Sequence, residues 1–195
     1  MSEDLAYRSA TELAGLIRAR AISPLEVVQA YLARIDRWDG TLHAYVTVCR
    51  EQALAEARAA EQALGHGAPV GPLHGVPVAV KDQFDTAGIR TTSGSRLHAR
   101  RVPAEDATVV TRLRAAGAIL LGKLNLTEFA LGGTLTYPFG QPRNPWDGSL
   151  PGGPPDPLYT WLGTKAKRIG ANSFAEHSLF AADDMLMGGS LAELP

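Results

Sequence analysis

Apolar residues recur at helical spacing through the first forty positions of the chain. One helix is predicted after the capping box at residues 9–12, and another after Ser23, with Pro24 at its first helical position. Gly40 is expected to end the second helix. The apolar stripes of the two helices are formed by Leu13, Leu16 and Ile17 and by Val27, Val28, Tyr31, Leu32 and Ile35.

The pattern becomes mixed from residue 42 onwards. Alternation over residues 42–49 predicts a short strand, and the alanine-rich residues 50–64 predict a helix. A further helix is expected to begin at residues 106–108. Its predicted buried positions are Val109, Val110 and Leu113.

Two continuous apolar runs flank that last helix. Residues 76–80 and residues 118–121 each have the composition of a strand buried on both faces. Strand, loop, helix and strand in this order predict a βαβ unit with a right-handed crossover, so the fold class is α/β. Residues 123–130 are predicted to be a loop and a short helix.

The first of these runs ends in Lys81. A strand that delivers an amine to a desolvated site lowers the pKa of that amine, and a lysine can then act as a base. By residue type alone, a solvated lysine at a strand end is the commoner situation. The hydroxyl-rich residues 91–95 are predicted from their composition to be a solvated turn.

The composition of the chain limits the classes of protein to which it can belong. The chain has 195 residues, of which 45% are hydrophobic and 20% charged, and its net charge is −1, which argues against nucleic-acid binding through bulk charge. Its one cysteine, Cys49, is expected to be a buried hydrophobe in a protein of the reducing cytoplasm. The acidic residues 2–4 do not resemble a signal peptide, and no apolar run approaches the ~18 residues of a membrane span.

A metal enzyme is an alternative with little support. The histidines are dispersed and lack the helical or short-loop spacing of metal ligands, so we expect no metal and no cofactor. They are His43, His66, His74, His98 and His177.

Several motifs follow one another in a fixed order along the chain. They are GPLHGVPVAVKD at residues 71–82, GIRTTSGS at 88–95, DATVV at 106–110, LRAAGAILLGK at 113–123, Asn125, EFA at 128–130 and RNPWD at 143–147. Together they resemble the motifs of the amidase signature family, from about residue 6 to residue 153. Because several collinear motifs agree, the resemblance is far more specific than a single short pattern.

The resemblance implies an α/β enzyme, with a mixed sheet flanked by helices, that hydrolyses carbon–nitrogen amide bonds. It implies a Ser–Ser–Lys mechanism, in which a lysine is the base, a bridging serine relays a proton and a second serine attacks the carbonyl. Lys81 matches the family's lysine. The substrate is expected to be a small-molecule amide, contacted by Gly132, Gly133 and Thr134.

The chain departs from the family pattern after Gly153. Pro154 and Pro155 stand where the family has paired serines, and a proline has neither a hydroxyl nor an N–H group. The bridging serine is therefore absent from this motif. A later Gly-Gly-Ser, ending at Ser190, resembles the turn that bears the family's nucleophile. Ser190 is an alternative nucleophile, although its distance along the chain from Lys81 and its flanking residues fit poorly.

This departure divides the chain. Residues 1–153 are predicted to be a partial amidase domain, with a helical region at 6–66 and a βαβ core region at 71–147. Residues 154–195 are predicted to be a tail unrelated to the family, which is either disordered or the product of a frameshift. A truncated fold of this kind would leave a strand edge unpaired, so a homodimer or aggregation is expected.

Three functions stay open on the sequence. The first is an amidase, and the second is a catalytically inactive fragment or pseudoenzyme that acts at most as an interaction module. The third is a glutamine-dependent amidotransferase subunit in tRNA-linked amidation. Residues 128–134 are slightly more typical of a general amidase than of the amidotransferase, and the missing serine pair separates the first function from the second.

Overall fold

Four helices and a small sheet make up the described part of the chain. The computed structural model describes residues 5–131 and 137–145. The helices are α1 (Ala10–Arg18), α2 (Pro24–Leu42), α3 (Arg50–Gly65) and α4 (Thr108–Ala115), and two 3₁₀ turns lie at Arg96–His98 and Glu128–Ala130. The strands are β1 (Tyr45–Val48), β2 (Pro77–Lys81) and β3 (Ile119–Leu124). The predicted α/β class is confirmed.

The first two helices begin where the sequence predicts. Ser9 caps α1 and Ser23 caps α2, each with the reciprocal side-chain bond of a complete capping box. The predicted end of α2 at Gly40 is wrong, because the helix continues to Leu42. The end of the helix is fixed by Asp39 rather than by a glycine. Its Oδ1 accepts hydrogen bonds from the backbone N–H groups of Ala44 and Tyr45, at 2.7 and 3.0 Å. His43 then turns the chain with a φ of 51°.

The sheet places β3 between β1 and β2. Strand β2 runs parallel to β3, which confirms the predicted βαβ unit, and β1 runs antiparallel to β3. A bulge interrupts the parallel pairing, because Val78 lies opposite Leu120 whereas Ala79 lies opposite Gly122. Strand β3 includes Lys123, so the prediction of a loop at that residue is wrong. Pairing on both sides of β3 extends the strand beyond its apolar run.

Apolar side chains cover both faces of the sheet. On one face they form a cluster with α1, α2 and α3, which includes Ile17, Val27, Val28, Leu32, Val76, Ile119 and Leu121. On the other face they form a second cluster, which consists of Cys49, Val78, Val80, Ile89, Val110, Ala118 and Leu120. Cys49 is buried as predicted. Val109 is 40% exposed, contrary to prediction, because the short helix α4 buries the face that carries Val110.

No helix in the described ranges combines the length and hydrophobicity that a bilayer crossing requires.

Candidate functional site

Lys81 is the last residue of β2. Its side chain is half-buried, and within the described residues its amine has no hydrogen-bond or ion-pair partner. Burial lowers the pKa of the Lys81 amine below its ordinary value, and no charged neighbour among the described residues offsets that effect. The structure therefore places a half-buried amine at the end of β2.

The next residue, Asp82, is fully buried and engaged on both carboxylate oxygens. Its Oδ2 accepts hydrogen bonds from the backbone N–H of Thr92 at 2.8 Å and from the Thr92 hydroxyl at 2.5 Å. Its Oδ1 lies 3.3 Å from Nζ of Lys123, a contact that is electrostatic rather than a well-aligned hydrogen bond. Asp82 thus has a cation of its own beside it.

Lys123 is the second lysine of the site, and none of its side chain is exposed to solvent. Its Nζ donates to the Phe84 carbonyl at 2.8 Å and to the Thr91 hydroxyl at 2.7 Å. Burial lowers the pKa of Lys123, and the adjacent Asp82 carboxylate partly opposes that shift. A charged residue inside the apolar run at 118–124 was the sequence signal that could have identified this buried pair.

The predicted solvated turn at residues 91–95 is wrong. Thr91, Thr92 and Ser95 have no exposed surface. Their hydroxyls bind charged side chains, since Thr91 contacts the buried Lys123, Thr92 contacts the buried Asp82, and Ser95 Oγ donates to Oε1 of the exposed Glu128 at 2.7 Å. Hydroxyl-rich composition favours a surface loop, but these groups are satisfied within the protein, so burial carries no penalty.

The two lysines leave the sheet on opposite faces. Lys123 pairs with Val80, whereas Lys81 pairs with Leu124, and side chains of successive strand residues alternate between faces. Four of the 19 basic residues of the chain are lysines, and Lys81 and Lys123 are the only lysines before residue 165. Arginine cannot be deprotonated in a protein, whereas a desolvated lysine can. The two lysines before residue 165 therefore lie at the ends of adjacent strands.

Besides Lys81, the structure describes none of the predicted site residues. Gly132, Gly133, Thr134, Pro154, Pro155 and Ser190 lie outside the described residues, so the structure does not relate them to Lys81. Within the described residues no group of three histidine, cysteine, aspartate or glutamate side chains could hold a metal ion. Among the described residues, Lys81 is the last residue of this strand and carries a half-buried amine.

Comparisons with known proteins agree with the motifs. A family model described as Amidase matches residues 26–153. The chain is 51% identical over 152 residues to a glutamyl-tRNA(Gln) amidotransferase subunit of Salinispora arenicola, and 49% identical to its counterpart of the same name in Moorella thermoacetica. Each match covers 77% of this chain but only 31% of the relative, so the chain spans about a third of the length of the curated relatives it matches.

Solved structures show the same relationship. The native peptide amidase of Stenotrophomonas maltophilia is 35% identical, with a TM-score of 0.68 over 74% of this chain and 31% of that one. A bacterial aryl acylamidase is 31% identical, with a TM-score of 0.68 over 74% of this chain and 30% of that one. Because the family model covers most of the sequence and these structures share its fold, the chain belongs to the amidase family.

Proposed function

We propose that Lys81 is the proton-transfer base of a Ser–Ser–Lys site that hydrolyses carbon–nitrogen amide bonds. The observation that carries the proposal is the half-buried amine at the end of β2, which has no partner in the described part of the chain and belongs to the residue that matches the family's lysine motif. A lysine that is solvated, or paired with a carboxylate, would stay protonated near neutral pH and could not accept a proton.

In such a site the neutral amine would accept the proton of the bridging serine as that serine takes the proton of the nucleophilic serine. The nucleophile would attack the carbonyl carbon, and the proton held by Lys81 would return through the relay to the departing amine. Water would then hydrolyse the acyl-serine. Backbone N–H groups of a glycine-rich turn would stabilise the oxyanion.

We further propose that this chain does not catalyse the reaction by itself, because Pro154 and Pro155 occupy the positions of the paired serines. With simple aliphatic or aromatic amides, the chain should release ammonia no faster than the uncatalysed background, and Lys81→Met should give the same rate. It should also incorporate no fluorophosphonate probe at any serine. Turnover that disappears in Lys81→Met would contradict the inactive assignment, and a probe adduct at Ser190 would identify that residue as a nucleophile.

A second candidate is the amidotransferase function. The relatives named as glutamyl-tRNA(Gln) amidotransferase subunits are 44–51% identical to this chain, whereas the solved amidases described above are 31–35% identical. This difference favours an origin from the amidotransferase group. Co-purification of the full chain with the other subunits of such an enzyme would support the candidate, and failure of the tagged chain to retain them would count against it.

We propose that the chain associates with a second copy of itself. Strands β1 and β2 each have one neighbour in the described sheet. Leu97, Phe129 and Leu131 are exposed, and His98, next to Leu97, packs edge-on against Phe129. Light scattering after size exclusion should detect a dimer or larger species, and Leu97→Glu should shift it toward monomer. A monodisperse wild-type monomer with a sharp thermal transition would contradict this proposal.

A cytoplasmic location is also proposed. Its support is that Cys49, the one cysteine of the chain, is buried and free.

A further inference from the structure

We propose that Lys123 is a positioning residue, whose cation offsets the charge of Asp82 and so keeps that carboxylate from favouring the ammonium form of Lys81. The inference deepens the proposed function, and its catalytic meaning rests on that function. Its test does not require turnover.

The need for such a residue follows from the sequence of the motif. Asp82 directly follows the proposed base, and an unneutralised carboxylate near an amine favours the ammonium form. The Asp82 carboxylate has no exposed surface and is held by Thr92, while the Asp82 backbone is fixed by its N–H, which donates to the Leu124 carbonyl at 2.9 Å, and by its carbonyl, which accepts from the Ser93 N–H at 3.1 Å. Its charge must therefore be compensated in place.

Lys123 provides that compensation on the opposite face of the sheet from Lys81. Its Nζ lies 3.3 Å from Oδ1 of Asp82, and neither side chain is exposed. Thr92 supplies two hydrogen bonds to the other carboxylate oxygen. Because Lys123 pairs with Val80 in the sheet, its cation lies beside the last residues of β2.

The other charged and titratable groups around the pair have separate roles. Cys49 and Asp85 also act on Lys123, but more weakly than Asp82 does. The Asp85 carboxylate is engaged by both terminal nitrogens of Arg101, at 2.6 and 2.5 Å. No charged side chain among the described residues shifts the pKa of Lys81, which is lowered by burial alone.

Lysine side-chain NMR can test the inference directly, because the chain has few lysines. Protein labelled with ¹³C and ¹⁵N at lysine would be titrated as wild type, Lys123→Met, Asp82→Asn and the double variant, with the Lys81 signal assigned by its loss in Lys81→Gln. In Lys123→Met the titration midpoint of Lys81 should rise by about one pH unit, as expected for a charge roughly 10 Å away at an effective dielectric constant of ~20. The double variant should return it to the wild-type value.

Asp82→Asn is less disruptive to packing than Lys123→Met, since it preserves the shape of the side chain. It should lower the midpoint of Lys123, which loses its counter-ion, and it should not raise the midpoint of Lys81. An unchanged Lys81 midpoint in folded Lys123→Met would overturn the inference. If that variant does not fold, an unchanged Lys123 midpoint in Asp82→Asn would overturn it instead. If the midpoints shift as predicted but Lys81 has no catalytic role, the proposed function is refuted and the inference about Lys123 stands.

Discussion

Lys123→Met is expected to lower the free energy of unfolding by about 3–5 kcal/mol, because it leaves the Asp82 carboxylate buried without its cation. Removing one partner of a buried ion pair costs the desolvation of the group that remains. The two hydrogen bonds from Thr92 satisfy one oxygen of that carboxylate but cannot replace the lost cation. Asp82 has no exposed surface, so solvent does not stabilise the charge in place of the cation.

A double-mutant cycle in urea separates this effect from simple loss of packing. The double variant Asp82→Asn/Lys123→Met should be destabilised by clearly less than the sum of the two single variants, because it leaves no buried charge unpaired. Arg58→Met removes an exposed cation from α3 and should change stability by less than about 0.5 kcal/mol. Additive losses in the cycle would show that the pair is not electrostatically coupled.

Gly122→Ala is expected to cost about 3 kcal/mol, at the upper end of the usual penalty for overpacking. A Cβ at this position would lie 2.3 Å from the backbone oxygen of Thr47 and 2.9 Å from Cδ1 of Tyr45. The first of these atoms belongs to the backbone of β1, so the strand itself would have to move away from β3.

Gly15→Ala is the matched control, because the same methyl group meets nothing within 4 Å at the exposed Gly15 in α1. It should raise the stability by about 0.5–1 kcal/mol, through the better helix propensity of alanine. Urea unfolding would measure both variants. Gly122→Ala with wild-type stability would mean that β1 does not approach β3 as closely as the structure places it.

Local signals were sufficient to predict much of the fold. The capping boxes at Ser9 and Ser23 act within a few residues, so the starts of α1 and α2 can be predicted without tertiary information. The two apolar runs likewise predicted β2 and β3 and their parallel arrangement, because the crossover between them has the length of a βαβ connection.

Predictions failed where a distant partner decides the outcome. Thr91 and Thr92 are buried because Lys123 and Asp82 bind their hydroxyls, and composition carries no information about those partners. Helix α2 passes Gly40 because Asp39 binds the N–H groups beyond its end. In each of these segments a specific side-chain contact overrides the average preference of the residue type.

The candidate site could be predicted only in part. Lys81 was identified from its motif and its apolar strand, and the structure adds that its amine is unpaired within the described residues. The engagement of Asp82 by Lys123 could not be predicted, because it depends on the register between β2 and β3 and on the bulge at Leu121. The catalytic role of Lys81 stays a prediction.

The pH dependence of Lys81 acylation tests the central claim, that β2 delivers a desolvated amine. Folded protein and a synthetic peptide of residues 77–85 would be pulsed with acetic anhydride from pH 6 to 11, and acylation at Lys81 would be quantified by mass spectrometry. Burial favours the neutral amine, so the midpoint in the protein should fall clearly below that of the peptide, which should titrate near the ordinary value of ~10.4. A midpoint in the folded protein equal to or above that of the peptide would contradict the account.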